Sequence, residues 1–266
     1  MKVIIFCVNY NSDKELEKYL ISLERAIENA DVELTVVVSD NSLSYKEIER
    51  KYSFELYHFK TEKNLGYFGG AIFGIKRCGK NIDIYDYSVI SNVDLEVDKN
   101  FFKELSAFCA DDKTGCIAPK IYSVGEHRDR NPKVLERYGV RKLQLLRLMY
   151  KYPFLNYIYT AVFFKRRRER IKNCQQDIIY AAHGSFMLFT KKFSSFLSNM
   201  EYPVFLFGEE LYIAEHLRKR GLKTIYLPNV VVIDKDHAST SKMKSKFYYK
   251  CNYEAIDMII KEFYNE

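Results

Sequence analysis

The feature that most constrains the fold is a regular alternation of short apolar runs with amphipathic helical patterns. The runs lie at residues 2–9, 34–38, 54–59, 87–90 and 115–118, with helical patterns at 12–29, around 71–75 and at 99–110. After residue 177 the pattern resumes with strands at 178–190, 223–227 and 230–233 and helices at 209–220 and 248–263. Buried strands alternating with helices are typical of a parallel sheet with helices on its faces. We predict an α/β fold with a mostly parallel central sheet flanked by helices.

Polar residues stand where three of these strands end. Asn9 and Asn11 follow the first strand, Asp40 the second, and Asn92 and Asp94 the strand at 87–90. In open α/β sheets, ligands bind in the crevice outside the carboxyl ends of the strands. A turn Asp would explain Asp40 equally well. Asp94 is a suitable first ligand for a hard divalent cation, because Mg²⁺ and Mn²⁺ prefer oxygen.

Two further groups begin helices. Asn64 and Gly66 belong to a glycine-rich turn whose backbone N–H groups point toward a phosphate or sugar if the next residues are helical. Glu209 and Glu210 open the helix at 209–220, where the helix dipole favours ionised acids, so capping alone would explain them. A functional interpretation makes one of the two acids a general base.

The order of these motifs is more specific than any one of them. It runs Asn-Tyr-Asn, Asp-Asn-Ser, Asn-Leu-Gly-x-x-Gly-Gly, Asn-x-Asp, Gly-Ser-Phe-Met-Leu, Gly-Glu-Glu and His. This order resembles family 2 glycosyltransferases of the GT-A fold, and among them the bacterial rhamnosyl- and galactofuranosyl-type transferases of surface polysaccharides. The resemblance covers residues 2–119 and 177–240. It implies a single GT-A domain over 1–266, with a basic, aromatic helical insertion at about 124–175.

The resemblance also implies roles for individual residues. The nucleotide and donor would contact Asn9, Asn11, Asp40, Asn64, Gly66 and Asn92. His183, Gly184 and Ser185 would line the donor sugar and acceptor. Asp94 would bind Mg²⁺ or Mn²⁺, with His237 as a further metal ligand. Glu210 would be the catalytic base, and Glu209 could share or exchange that role with it.

The implied activity is inverting transfer of a sugar from a nucleotide diphosphate, with UDP or dTDP preferred, to a hydroxyl of a lipid-linked or oligosaccharide acceptor. Two alternatives stay open. A nucleotidyltransferase also uses an α/β sheet and metal-binding acids, but Asn9–Asp13 does not resemble a triphosphate loop. A degenerate, non-catalytic protein that binds membrane or RNA is the other, because Asn92 stands where the family has the first acid of its metal motif, and Tyr212 where a later acid is common.

Charge is concentrated in the predicted insertion. Residues 120–173 contain 15 basic and four acidic residues, a net charge of +11, whereas the whole chain carries +7. Leucines and aromatic residues interleave with these basic residues, which suits a helix in a membrane interface, stacking on single-stranded nucleic acid, or a solvated helix that covers a core. The high apolar content favours an anionic membrane surface, and no nucleic-acid partner is expected. With no apolar run of about 20 residues, we expect a cytoplasmic protein held peripherally on the inner face of the membrane. The aromatic content of 15% leaves room for a homodimer.

Overall fold

A computed structural model describes residues 1–155, 177–235 and 245–264. Within them the strands are β1 Lys2–Asn9, β2 Glu33–Asp40, β3 Glu55–Lys60, β4 Tyr87–Asn92, β5 Leu95–Val97, β6 Thr114–Ser123, β7 Arg128–Asp129, β8 Ile178–Ile179, β9 Phe186–Thr190 and β10 Lys223–Asp234. The helices are α1 Asp13–Ile27, α2 Tyr67–Arg77, α3 Phe101–Ser106, α4 Val140–Lys151, α5 Lys191–Leu197, α6 Glu209–Lys219 and α7 Ser245–Phe263.

The strands form one sheet in the order β3-β2-β1-β4-β9-β6-β10-β5, with β7 beside β6 and β8 beside β10. The pairs β3–β2, β2–β1, β1–β4 and β6–β10 are parallel, whereas β9 runs antiparallel to both β4 and β6. From β1 the chain moves outward to β2 and β3 and then returns to place β4 on the other side of β1. The carboxyl ends of β1 and β4 therefore flank a reversal of strand order, where α/β sheets bind ligands.

Both faces of the sheet are buried. Alternate residues of β1 belong to two cores, with Ile4 and Phe6 on one side and Val3 and Ile5 on the other. A strand buried on both faces must be apolar throughout, which explains the continuous run at 2–9. The predicted α/β architecture, a central sheet flanked by helices, is confirmed.

Helix α2 lies unusually close to the sheet. A Cβ added to Gly70 would stand 2.9 Å from a methyl carbon of Val8, and one added to Gly74 would stand 2.6 Å from Oγ of Ser39. These two glycines lie one turn apart and face the ends of β1 and β2. They allow the start of α2 to approach the carboxyl edge of the sheet.

The predicted insertion differs in structure from a simple helix. Residues 128–129 form β7, which pairs with β6, and Val134 bridges to Ala181. Helix α4 begins only at Val140, so the predicted insertion starts with a short strand and a single bridge before its helix. The two strands predicted at 223–227 and 230–233 are one strand, β10, with a register shift between Leu227 and Val231. In the described part of the chain, no helix is long and apolar enough to cross a membrane.

Candidate active site

The first side of the site is a buried polar network at the ends of β1 and β2. Asn9 donates from Nδ2 to Oδ2 of Asp40 at 3.2 Å, and Asp40 is 1% exposed. The other carboxylate oxygen accepts the backbone N–H of Ser42 at 2.8 Å, and Nε2 of His58 lies 3.3 Å from Oδ2. Burial alone would raise the pKa of Asp40, but the hydrogen bonds from His58 and Ser42 outweigh it and hold the pKa below its ordinary value. Asn11, with φ of 52°, donates its N–H to Oγ of Ser42 at 2.7 Å.

The glycine-rich turn before α2 is fastened to this network. Asn41 donates to the carbonyl of Gly66 at 2.9 Å, and its amide oxygen accepts the hydroxyl of Thr61 at 2.9 Å. Asn64 accepts the N–H of Gly66 at 2.9 Å. Gly66 has φ of 74°, and a Cβ there would stand 1.9 Å from the carbonyl oxygen of Phe205. Only glycine fits this position, both for its conformation and for the contact with the facing loop.

The second side of the site is the loop before β9. The N–H of Asn92 donates to the carbonyl of Ser185 at 2.8 Å, which joins this loop to the end of β4. The N–H of His183 donates to Oδ1 of the buried Asn131 at 2.7 Å, and Nδ1 of His183 lies 2.9 Å from Oγ of Ser185. Burial, followed by the positive charge of Lys133 and its basic neighbours, lowers the pKa of His183 well below its ordinary value. His183 is therefore a neutral imidazole at neutral pH.

Tyr67 links the two sides to the acids of α6. Its hydroxyl donates to the carbonyl of Gly184 at 2.6 Å. A Cβ on Gly184 would lie 2.7 Å from Oε1 of Glu209, so a side chain at this position would clash with that carboxylate. Burial raises the pKa of Tyr67 well above its ordinary value, and the charges of Glu209, Asp94 and Glu210 add to the effect. Tyr67 therefore lies within electrostatic range of all three carboxylates.

The two adjacent acids have different environments. Glu210 is paired with Lys133, with 3.2 Å between Nζ and Oε1, and its side chain is 14% exposed. The charge of Glu210 in turn raises the pKa of Lys133. Burial and the neighbouring charge of Glu210 raise the pKa of Glu209 to about 8. At neutral pH Glu209 is therefore largely protonated, next to the ion pair of Glu210 and Lys133.

Asp94 follows β4, in the bend that leads to β5. Among the residues the structure describes, no group of three or more His, Cys, Asp and Glu side chains could hold a metal ion. Mg²⁺ is commonly bound by one or two carboxylates together with substrate phosphates, so a single Asp94 fits a cation shared with a diphosphate. Residue His237 lies outside the described residues. The last residue of β10, Asp234, pairs with Leu95, which follows Asp94 in the chain.

Within the part of the chain that the structure describes, the predicted residues of both halves thus come together at the carboxyl edge of the sheet. Sequence reasoning missed three contributors: Tyr67, Asn131 and Lys133. Tyr67 stands inside the glycine-rich motif and could have been included from its position there. Lys133 was counted only as part of the basic segment, and no local pattern marks it as the partner of Glu210. A cavity of about 350 Å³ lies at the opposite edge, lined by Tyr87 and Thr190, so cavity size does not identify this site.

Comparison with solved structures defines the fold class. TarS from S. aureus superposes with a TM-score of 0.61 at 16% identity, over 100% of this chain and 40% of that one. GalNAc-T7, solved with UDP, GalNAc and Mn²⁺, superposes with a TM-score of 0.61 at 12% identity, over 98% of this chain and 48% of that one. The mannosyltransferase PcManGT from Pyrobaculum calidifontis, in complex with GDP-Man and Mn²⁺, superposes with a TM-score of 0.55 at 15% identity, over 97% of this chain and 64% of that one. The fold is the GT-A fold, and the chain spans less than two thirds of each of these proteins.

The family follows from the sequence. The family model described as Glycosyl transferase family 2 matches residues 3–195. That range runs from β1 to α5 and includes most of the site described above. The chain therefore belongs to glycosyltransferase family 2. No curated protein matches it, and the narrower resemblance to rhamnosyl- and galactofuranosyl-type enzymes stays a prediction.

Proposed function

We propose that this protein is an inverting glycosyltransferase that moves a sugar from a nucleotide diphosphate to an acceptor hydroxyl. The observation that carries the proposal is the position of the two acids of α6. Gly184 and Tyr67 place Glu209 beside the loop that is hydrogen-bonded to the end of β4. The two acids at the start of α6 therefore stand at the edge of the sheet where a GT-A enzyme would hold its donor.

Within this proposal, Glu210 takes the proton of the attacking hydroxyl. Its carboxylate forms an ion pair with the ammonium of Lys133 at 3.2 Å, which fixes its position for that role. Glu209, with its raised pKa, is largely protonated at neutral pH and can donate a hydrogen bond to the acceptor or to its partner. The departing diphosphate leaves from the opposite face of the anomeric carbon, which inverts its configuration.

The donor would lie across the ends of β1, β2 and β4. Asp40 is too buried for extensive contact, so we assign it to orienting Asn9 and the loop at Ser42 beside the nucleotide. Asn11, Asn64, Gly66 and Asn92 would line the same crevice. Asp94 would hold Mg²⁺ or Mn²⁺ together with the diphosphate oxygens, and the bound cation would offset charge on the leaving group.

UDP and dTDP are the proposed nucleotides, and the acceptor is proposed to be a lipid-linked saccharide of cell-surface polysaccharide synthesis. The support for a UDP-type donor is that GalNAc-T7 was solved with UDP and a TarS fragment with UDP-GlcNAc. The support for a lipid-linked acceptor is the +11 charge of residues 120–173, because a basic segment attracts anionic lipid surfaces and diphosphates. Such an acceptor would place the enzyme on the inner face of the membrane.

The first experiment is a thermal-shift panel of UDP, dTDP, GDP and CDP, each with and without Mn²⁺. A ligand at 100 times its Kd adds about 2.7 kcal/mol to the stability of the folded state, which such an assay detects. We expect a metal-dependent shift with UDP or dTDP. The absence of a shift with all four nucleotides would contradict the proposal and favour a non-catalytic protein.

The roles of the acids are tested with matched variants. Glu210→Gln should lower turnover by roughly 10²-fold or more while leaving the nucleotide shift intact, because only proton transfer is lost. Glu209→Gln keeps a hydrogen-bond donor and should have a smaller effect. Equal losses in the two variants, or full activity of Glu210→Gln, would refute the assignment of the base.

A further inference from the structure

Helix α4 uses one face to pack against α7. Leu143 is fully buried, and the ring of Tyr150 lies 6.4 Å from that of Tyr248. Arg147 forms an ion pair with Asp257 of α7 at 3.0 Å. These three residues of α4 are spaced four and three positions apart and so lie on one side of the helix. A helix that covers a core in this way is expected to present polar residues on its other side.

The opposite side of α4 is apolar as well. Leu145, Leu148 and Tyr152 recur at spacings of three and four residues, and they are 46%, 44% and 43% exposed. Phe154, just beyond the helix, is 63% exposed. Arg141 stands one turn before Leu145 on the same side. We call these five residues the α4 outer face.

The charged residues of α4 itself all have one sign. No acidic residue occurs in the sequence between Glu136 and Glu169. Arg141 and Lys151 are exposed at the two ends of α4. Exposed leucine and aromatic side chains bordered by basic residues match a helix that lies in the interface of a membrane.

We propose that the α4 outer face binds the surface of an anionic phospholipid bilayer. Its apolar side chains enter the headgroup region, and Arg141 and Lys151 contact anionic headgroups. A second copy of this chain is a poorer occupant, because two such faces would bring like charges together. The inference rests on the proposed lipid-linked acceptor for its purpose, but vesicle binding needs neither donor nor catalysis.

The bilayer contact would also orient the site. Helix α7 lies between α4 and the loop that precedes the acids of α6. The ring of Tyr248 is 5.3 Å from that of Phe207, and a Cβ on Gly208 would lie 2.9 Å from Cβ of Ala255. One helix layer therefore separates the α4 outer face from the loop that leads to Glu209. A membrane-bound acceptor would be presented to an enzyme already held at a fixed face.

The absence of Trp from the chain allows a direct test. In the full chain, L148W places a single Trp on the α4 outer face, and I84W places one at an exposed position on another surface. Vesicles of phosphatidylcholine alone and of phosphatidylcholine with 30 mol% phosphatidylglycerol (about a third anionic lipid) are added at physiological salt. We expect a blue shift of the emission of L148W with the anionic vesicles only, and no shift for I84W.

Co-sedimentation with the same vesicles tests the α4 outer face without an introduced Trp. We expect L145S/L148S to weaken vesicle binding by roughly tenfold or more, because two apolar anchors are lost. The control I84S/I178S removes two similarly exposed apolar residues elsewhere and should bind like the wild type. R141Q/K151Q should weaken binding and reduce its dependence on salt. Circular dichroism and thermal melting of each variant verify that it is folded.

Three outcomes would overturn the proposal. One is a wild-type protein that does not sediment with anionic vesicles while it still shows the nucleotide-dependent thermal shift, which would leave the proposed function intact. A second is equal loss of binding in L145S/L148S and I84S/I178S. A third is a blue shift of L148W that appears without vesicles and grows with protein concentration, since a second copy of the chain would then cover this face.

Discussion

Glu215 offers the sharpest test of how the helix that carries the two acids is held in place. Its carboxylate is fully buried in α6 and accepts hydrogen bonds from three side chains. Arg137 donates at 2.7 and 3.2 Å, Arg218 at 2.8 Å and Tyr180 at 2.5 Å. Arg137 belongs to the same segment as Lys133, so this ion pair joins the segment to α6. The perturbation is Glu215→Gln, which keeps the shape and removes the charge.

The magnitude follows from the pKa of Glu215. Burial alone would raise this pKa, but the hydrogen bonds from Arg137 and its neighbours outweigh burial and lower it from 4.5 to about 2. A difference of this size between the folded and unfolded chain corresponds to about 3 kcal/mol of stability at pH 7. Because the folded-state pKa is the lower one, this contribution is complete above about pH 4.5 and is lost as the pH falls toward 2. The loss is about 1 kcal/mol at pH 4 and about 2 kcal/mol at pH 3.

The assay is urea unfolding followed by circular dichroism at pH 7, 4 and 3. We expect Glu215→Gln to be about 3 kcal/mol less stable than the wild type at pH 7 and only about 1 kcal/mol less stable at pH 3. The control is Glu254→Gln on α7, whose exposed carboxylate lies 3.7 Å from Lys250 and should contribute under about 0.5 kcal/mol at every pH. A gap that stays constant with pH, or a loss at pH 7 no larger than in the control, would refute the reasoning.

Three other predictions concern the site itself. Gly66→Ala should destabilise the protein by more than Gly79→Ala, because both positions have φ above +60° but only a Cβ at Gly66 meets another atom within 4 Å. Urea unfolding compares the two variants. Equal losses of stability would show that the contact of Gly66 with the facing loop has no effect. Lys133→Met removes a charge that lowers the pKa of Glu209, so the pKa of this protonated group should rise and the alkaline limb of the pH–rate profile should move to higher pH, whereas Lys133→Arg should restore it. Asp94→Asn should abolish the Mn²⁺-dependent part of the UDP thermal shift and leave any metal-independent part unchanged; an undiminished Mn²⁺ effect would remove Asp94 from the metal site.

Much of the fold could be predicted, because a strand that is buried on both faces has a continuous apolar sequence. The run at 2–9 corresponds to β1 without error, and the polar residues after it end the strand where predicted. Local patterns were less informative for β10. Pro228 and Asn229 interrupt the apolar run and suggested two strands, but the pairing with β6 continues through a register shift. Such a bulge depends on the neighbouring strand and leaves no distinct local signal.

Some residues of the candidate site could likewise be predicted from the sequence, and others could not. Residues at strand ends could be predicted, because the edge at which a parallel strand ends is fixed by its direction. The contacts between the first and the second half of the chain could not be predicted. Tyr67 and Gly184 are 117 positions apart, and the partner of Glu210 comes from a segment whose composition pointed to a membrane. Pairs of this kind are decided by the packing of the whole chain, and a single sequence carries no trace of them.

The direction of β9 explains why the second half of the chain takes part in the site at all. A strand antiparallel to β4 starts at the edge where β4 ends, so the loop before β9 must reach the same edge as Asn92. That loop is His183–Ser185, and its carbonyls accept hydrogen bonds from Asn92 and Tyr67. A parallel strand in this place would have carried its preceding loop to the opposite edge of the sheet. One reversed strand thus brings residues from the second half of the chain to the edge at which the parallel strands of the first half end.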